Sequence, residues 1–315
     1  MLLPIFFILI SLILLYWGSS WLVKGSSSIA LKAGISPLVA GLILVAFGNS
    51  LPQLAVSVNA ALSGHGNIAI GNVMGSNLFN ICIILGISAL VSPIKIKMQL
   101  LKIEILIVII LAIVFMILFA DRQISRVEGG ILLFGLVLYM TLIITRARRD
   151  KSTEINTELE KSIPDQKMKW YWLAGMIVFG IGLLIAGSQL LVNGSLAIAR
   201  SLGVGETIIS LTIIAAGTST PLLATSIYAT SRKQFDIAIG NVVGASIFNI
   251  LGVIGISALI NPLSAIAISN IDLYLMIGAS LLLLQFLKTN YSLKRDDGIF
   301  MIGMYLIYLY YLWPK

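Results

Sequence analysis

Residues 10–93 recur, without a gap, as residues 179–262, and the offset is 169 throughout. Between Gly48 and Pro93, 23 of 46 positions are identical to those between Gly217 and Pro262. Each copy carries Gly-Asn/Thr-Ser-x-Pro inside an apolar stretch, at Gly48–Pro52 and Gly217–Pro221. A duplication of this length means that one structural unit is built twice. With polar residues and a helix breaker inside apolar runs, it is the pattern of a membrane protein made of two halves.

Composition fixes the solvent. Apolar residues make up 58% of the chain and charged residues 11%, with a mean hydropathy of +1.02. A soluble domain carries about 25% charged residues. Ten stretches reach the roughly 20 apolar residues that a bilayer-spanning helix needs. They lie near 3–31, 38–63, 68–92, 101–120, 128–146, 170–199, 206–230, 237–260, 266–287 and 297–314. The expected fold is therefore all-α integral membrane, with ten transmembrane helices arranged as two five-helix repeats. The first repeat is 1–146, a polar linker 147–169 follows, and the second repeat is 170–315.

The net charge of +8 does not signal nucleic acid, because its placement is lopsided. Loops 1–2, 3–4, 5–6, 7–8 and 9–10 carry 17 of the 21 Lys and Arg, leaving Arg122, Arg126, Arg200 and Lys315 on the other side. That asymmetry puts the 17-charge side and the 147–169 linker in the cytoplasm and both termini outside a multi-pass cell membrane. The N-terminal apolar run has no basic flank and continues to Val23, so it reads as a retained spanning helix, not a signal peptide. Five helices separate each position from its repeat partner. Five is odd, so the second half enters the membrane from the opposite side, and the repeats are inverted.

Proline removes a backbone donor and clashes with the carbonyl four residues earlier. Pro52 would free the Gly48 carbonyl and Pro221 that of Gly217. At membrane depth such a group has to be met by protein, water or an ion. Two readings stand: ordinary proline kinks, or a cation-coordinating core. Helical spacing favours the second. Asn49, Gln53 and Ser57 share one face of the second helix, and Asn72, Ser76 and Asn80, with Asn77 beside them, stripe the third. Thr218 and Ser226 form the matching stripe on the seventh helix and Asn241 and Asn249 on the eighth, interrupted by Leu222 and Ala245. Asn72 and Asn241, nearest the helix starts, also read as structural amides. The paired small residues Gly18-Ser19 and Gly187-Ser188 read as helix packing.

The doubled Gly-Thr/Asn-Ser-x-Pro, followed by Gly-Asn-x-x-Gly-Ser/Ala-x-x-x-Asn-Ile, resembles the paired α-repeats of the sodium/calcium exchanger superfamily, the cation/calcium antiporters. The resemblance covers nearly the whole chain. It implies ion ligands at Ala46 (carbonyl), Asn49, Ser50, Gln53, Ser76 and Asn80 in the first half. In the second half it implies Ala215 (carbonyl), Thr218, Ser219 and Asn249. Leu222 and Ala245 occupy ligand positions without a side chain able to coordinate. It also implies that helices 1 and 6 slide across a midplane site formed by helices 2, 3, 7 and 8.

Positions 53 and 222 are typically glutamates in that family, and here they are Gln53 and Leu222. None of the 13 carboxylates falls in the middle of those four helices. Calcium takes 6–8 oxygens, several from carboxylates, so an uncharged site is poorly suited to it. Neutral oxygens can hold a monovalent cation. The expectation is a secondary cation antiporter that needs no cofactor, with sodium favoured over calcium as the cargo. The alternative is a non-transporting or regulatory homologue with a degenerate site.

The remaining candidates carry less. With one histidine, one cysteine and no nucleophile–base set, enzyme chemistry has no support. Cys82 reads as a small packing residue, His65 as a turn residue, and Glu104 as a snorkelling end residue or an interface acid. Glu206 is too far from Leu222, about 24 Å along a helix, to serve the site.

Overall fold

The computed structural model describes residues 2–33, 37–95, 98–149, 168–201, 215–266, 268–290 and 292–312. Linker residues 150–167, Glu206 and the beginning of the expected seventh span, 206–214, lie outside them.

Long apolar runs form helices because lipid offers no partner for backbone N–H and C=O, so each segment satisfies its own. In the first half these are α1 (Leu2–Ala33), α2 (Gly41–Leu62), α3 (Gly66–Val91), α4 (Met98–Leu118) and α5 (Arg126–Arg149). In the second they are α6 (Trp170–Ser201), α7 (Thr220–Ser231), α8 (Phe235–Ile260), α9 (Asn270–Asn290) and α10 (Arg295–Leu312). Seven helices among the described residues are long and apolar enough to cross a membrane.

Two expectations need correcting. The fifth span runs past its expected end at 146: α5 continues to Arg149, because arginine is a good helix former and a cation suits a helix C-terminus. The seventh span is not one helix. A helical segment described from Ala215 stops at Thr218, Ser219 follows, and α7 starts at Thr220 with Pro221 in its first turn. Thr218 and Thr220 bend their hydroxyls onto the carbonyls of Ala215 (3.1 Å) and Ala216 (3.0 Å). Such back-bonding competes with the helical ladder, and Pro221 cannot donate to repair it.

The 169-residue offset continues in the structure past the point where sequence identity fades. Short strands β1 (Ile94–Lys95) and β2 (Gln123–Ile124) sit 169 positions before β3 (Leu263–Ser264) and β4 (Ser292–Leu293). β1 pairs antiparallel with β4, and β2 with β3. Adding or subtracting 169 turns Ile94↔Leu293 into Leu263↔Ile124, so the two ribbons exchange under the repeat. The turns match as well. Gly64 (φ 74) closes the α2–α3 turn, and Lys233 (φ 60) occupies the same left-handed position between α7 and α8.

Burial separates a centre from a rim. In their most apolar windows, α3 and α8 are 78% and 83% buried, against 28% for α5 and 22% for α6. α3 and α8 are therefore the inner helices, while α5 and α6 turn residues such as Phe134 and Phe179 outward. α1 and α6 pack together through small residues: a Cβ added at Gly18 would lie 2.9 Å from the Gly180 carbonyl oxygen. That is backbone-to-backbone packing of the kind small residues permit in lipid.

Candidate functional site

The polar stripes of α2, α3, α7 and α8 meet in the interior. Asn49, Ser50, Gln53, Ser57, Ser76, Asn80, Ser219 and Asn249 are fully buried, and Thr218 is nearly so. Leu222 and Ala245 are fully buried beside them. α2 approaches α8 closely because the crossing lacks side chains. A Cβ at Gly41 would come within 2.7 Å of the Ile237 carbonyl, and one at Gly244 within 2.8 Å of Ala46 Cβ.

Two asparagines clasp the halves together, each by the same pattern. Asn72 Nδ2 donates to the Gln53 carbonyl (3.3 Å) and Ser57 Oγ (3.0 Å). At offset 169, Asn241 Nδ2 donates to the Leu222 carbonyl (3.4 Å) and Ser226 Oγ (2.9 Å). Each of these amides also accepts across the halves: Asn72 Oδ1 from Thr218 Oγ1 (3.1 Å), and Asn241 Oδ1 from Asn49 Nδ2 (2.9 Å). Asn72 and Asn241 are thus structural amides, and they orient the candidate ligands Thr218 and Asn49.

Three other amide nitrogens are similarly occupied. Asn49 Nδ2 also reaches Thr225 Oγ1 (2.6 Å), Gln53 Nε2 donates to Ser219 Oγ (3.1 Å), and Asn249 Nδ2 to Asn77 Oδ1 (2.9 Å). Asn77 is held in turn through its own Nδ2 on the Ser246 carbonyl (3.3 Å). Asn80 differs: neither its Nδ2 nor its Oδ1 has a protein hydrogen-bond partner. Asn49 Oδ1, Gln53 Oε1, Asn80 Oδ1 and Asn249 Oδ1 are buried without a protein hydrogen-bond partner, as are the hydroxyls of Ser50 and Ser76. A buried polar atom left unpaired costs about 1–3 kcal/mol, so this concentration makes the group a candidate site for a guest. Every orphaned oxygen here is neutral and can coordinate a cation.

Backbone geometry adds a feature that residue types did not reveal. Asn80 and Asn249 each open a π-helical turn, Asn80–Ile84 in α3 and Asn249–Ile254 in α8. A third π turn, Gly41–Val45, leads directly into Ala46. Such turns widen a helix locally and frequently occur at functional sites. The two prolines differ in effect: Pro52 lies inside a continuous helical segment, Ala46–Leu62, whereas Pro221 begins a new one. The Ala215 carbonyl accepts from Ser219 N (3.2 Å) and Thr218 Oγ1 (3.1 Å).

No carboxylate among the described residues joins this group. Among the described residues Glu104 is the one charged side chain that is buried, and it accepts from the Tyr139 hydroxyl at 3.0 Å. The reading of Glu104 as a snorkelling end residue is therefore replaced by that of an interface acid, bound to a phenol on α5. No group of three or more His, Cys, Asp or Glu capable of holding a metal occurs among the described residues.

Comparison with known proteins identifies the family. The profile of the family described as "Sodium/calcium exchanger protein" matches residues 3–145 and 172–313. The chain is 36% identical to CaxA of Alkalimonas amylolytica over 323 residues, covering 100% of both chains. It is 29% identical to the sodium/calcium exchanger MaX1 of Methanosarcina acetivorans, covering 96% of each. Among solved structures, it superposes on the sodium-calcium exchanger NCX_Mj with a TM-score of 0.84 at 29% identity, over 99% of both chains. Seven membrane-spanning candidates among the described residues, two matching polar halves and a match along nearly its whole length make this chain a membrane protein of the sodium/calcium exchanger family.

Proposed function

We propose that the chain is a secondary active cation antiporter, working by alternating access around the pocket of α2, α3, α7 and α8, with a monovalent cation such as sodium as its cargo. Family membership supports ion exchange as the activity. Six neutral oxygens without protein partners carry the choice of ion. Moving a divalent ion into an uncharged, buried pocket leaves its second charge unbalanced, and the loss of hydration is then too large to recover. A monovalent ion can exchange its water for amide and hydroxyl oxygens, as ions do in carbonyl-lined filters.

The architecture proposed is ten helices in two inverted five-helix halves. It is supported by the ribbons that exchange under the 169-residue offset and by the hydrogen bonds that do the same. The distribution of Lys and Arg favours both termini outside and the linker in the cytoplasm. Inverted halves give two related conformations, each opening the same site to one side. The cargo ion is the substrate, and the proposal needs no cofactor.

Proteoliposomes test this. An outward or inward sodium gradient should drive exchange of labelled sodium against a second monovalent cation, with calcium neither transported nor competing. Sodium-driven calcium accumulation would overturn the assignment of the ion.

A further inference from the structure

The unpartnered oxygens break the symmetry that the hydrogen-bond network keeps. Asn49, Ser50, Gln53 and Ser76 of the first half each offer one, while their offset partners Thr218, Ser219, Leu222 and Ala245 offer none. In the second half the Ser219 hydroxyl takes the Gln53 amide, and the Thr218 hydroxyl is bound to Asn72 and to the Ala215 carbonyl. Leu222 and Ala245 have nothing to give. Asn249 is the one second-half residue of the pocket with an orphaned oxygen.

We infer that the pocket binds one monovalent cation per transport cycle, at a single site weighted toward the first half, so that exchange is one ion for one. This rests on the cation-antiporter reading and specifies its load. The six oxygens are four amide and two hydroxyl groups, enough to replace the inner hydration shell of one monovalent ion. A second ion would have to use the half of the pocket whose groups are already bonded or aliphatic. It would also sit close to the first with no carboxylate to offset their repulsion, which grows as the local dielectric falls. Exchange of one monovalent cation for another moves no net charge, so the cycle is insensitive to membrane potential.

Equilibrium binding of labelled sodium to the purified full chain in nanodiscs tests the inference. The expected result is one sodium per chain with a Hill coefficient of about 1. In proteoliposomes, exchange should generate no current and should not respond to an imposed potential. Two or more sodium ions per chain, or current during exchange, would overturn the single-ion load while leaving cation antiport standing. Failure of sodium, lithium, potassium and calcium all to bind would overturn both. Ser50→Ala and Ser76→Ala should each weaken sodium binding by about tenfold or more with the Hill coefficient unchanged, a loss of about 1.4 kcal/mol. Having two such variants guards against misfolding of one; wild-type affinity in a folded variant of either would contradict the assigned ligands.

Discussion

Asn49 in α2 donates its side-chain nitrogen to the carboxamide oxygen of Asn241 in α8 at 2.9 Å, and the repeat reproduces the contact as Thr218 to Asn72 at 3.1 Å. Each half therefore uses a clasping amide to orient a candidate ligand of the other. On the proposed function these two contacts would couple helix position to ion binding, because the nitrogen that reaches Asn241 leaves Asn49 Oδ1 without a protein partner.

The first prediction follows from that coupling. Asn49→Leu should abolish sodium-dependent thermal stabilisation and lower basal stability by about 1–3 kcal/mol, since Asn241 Oδ1 loses its donor. A double-mutant cycle of Asn49→Ala with Asn241→Ala should give a coupling energy of about 0.6–1.7 kcal/mol, between the mean and the maximum for hydrogen bonds between membrane helices. Additive effects measured by unfolding in mixed micelles would mean that the clasp is energetically empty.

Restoring charge should change the ion. Gln53→Glu combined with Leu222→Glu places a carboxylate at each of the paired positions in α2 and α7. Calcium affinity should rise at least about tenfold, because two negative charges offset the divalent cation. Calorimetric titration checks this. No gain would mean that the geometry around Leu222, and not only its chemistry, has departed from a divalent site.

Glycines separate close approach from open surface. Gly244→Ala puts a Cβ against the Leu42 backbone and 2.8 Å from Ala46 Cβ, so α2 and α8 have to move apart. It should cost about 1–3 kcal/mol and lose sodium binding with it. Gly278 has nothing within 4 Å of its added Cβ, and Gly278→Ala should leave both unchanged or stabilise by up to about 1 kcal/mol. Thermal unfolding with and without sodium distinguishes the two.

The topology is open to labelling. Cys82 is buried, so Cys82→Ala gives a background free of thiols. On that background Gln123→Cys lies at the exposed start of β2, between α4 and α5, and Lys233→Cys in the exposed turn between α7 and α8. A membrane-impermeant maleimide applied to intact cells should modify the first and spare the second until the membrane is opened. The reverse pattern would put the termini inside.

How much of this was legible beforehand depended on what each residue had to do. The stripes of Asn49, Gln53, Asn80 and Asn249 could be read because an amide at membrane depth needs a partner, whatever the tertiary detail. The duplication was plain to Pro93 and Pro262, then faded, although the fold repeats through β1/β3 and α5/α10. Residues packed against lipid or a slack interface need only be apolar, so identity drifts there while geometry persists. Pro52 and Pro221 looked equivalent. They differ because Thr218 and Thr220 bond back to the helix they interrupt, whereas Leu51, at the position of Thr220, has no such group. The π turns at Asn80 and Asn249 left no sequence signal, since one extra backbone residue per turn changes no residue type. The burial of Glu104 depended on Tyr139, 35 positions away on the next helix.

On the proposed function, an uncharged pocket of amide and hydroxyl oxygens binds a monovalent cation. Crystals of the protein soaked in thallium, a monovalent ion with a strong anomalous signal, test it most directly. One anomalous peak should lie between Gln53, Asn80, Thr218 and Asn249, within coordination distance of the six orphaned oxygens, and sodium should displace it while calcium does not. A pocket with no peak at saturating thallium, or one from which calcium alone displaces the ion, would contradict the account.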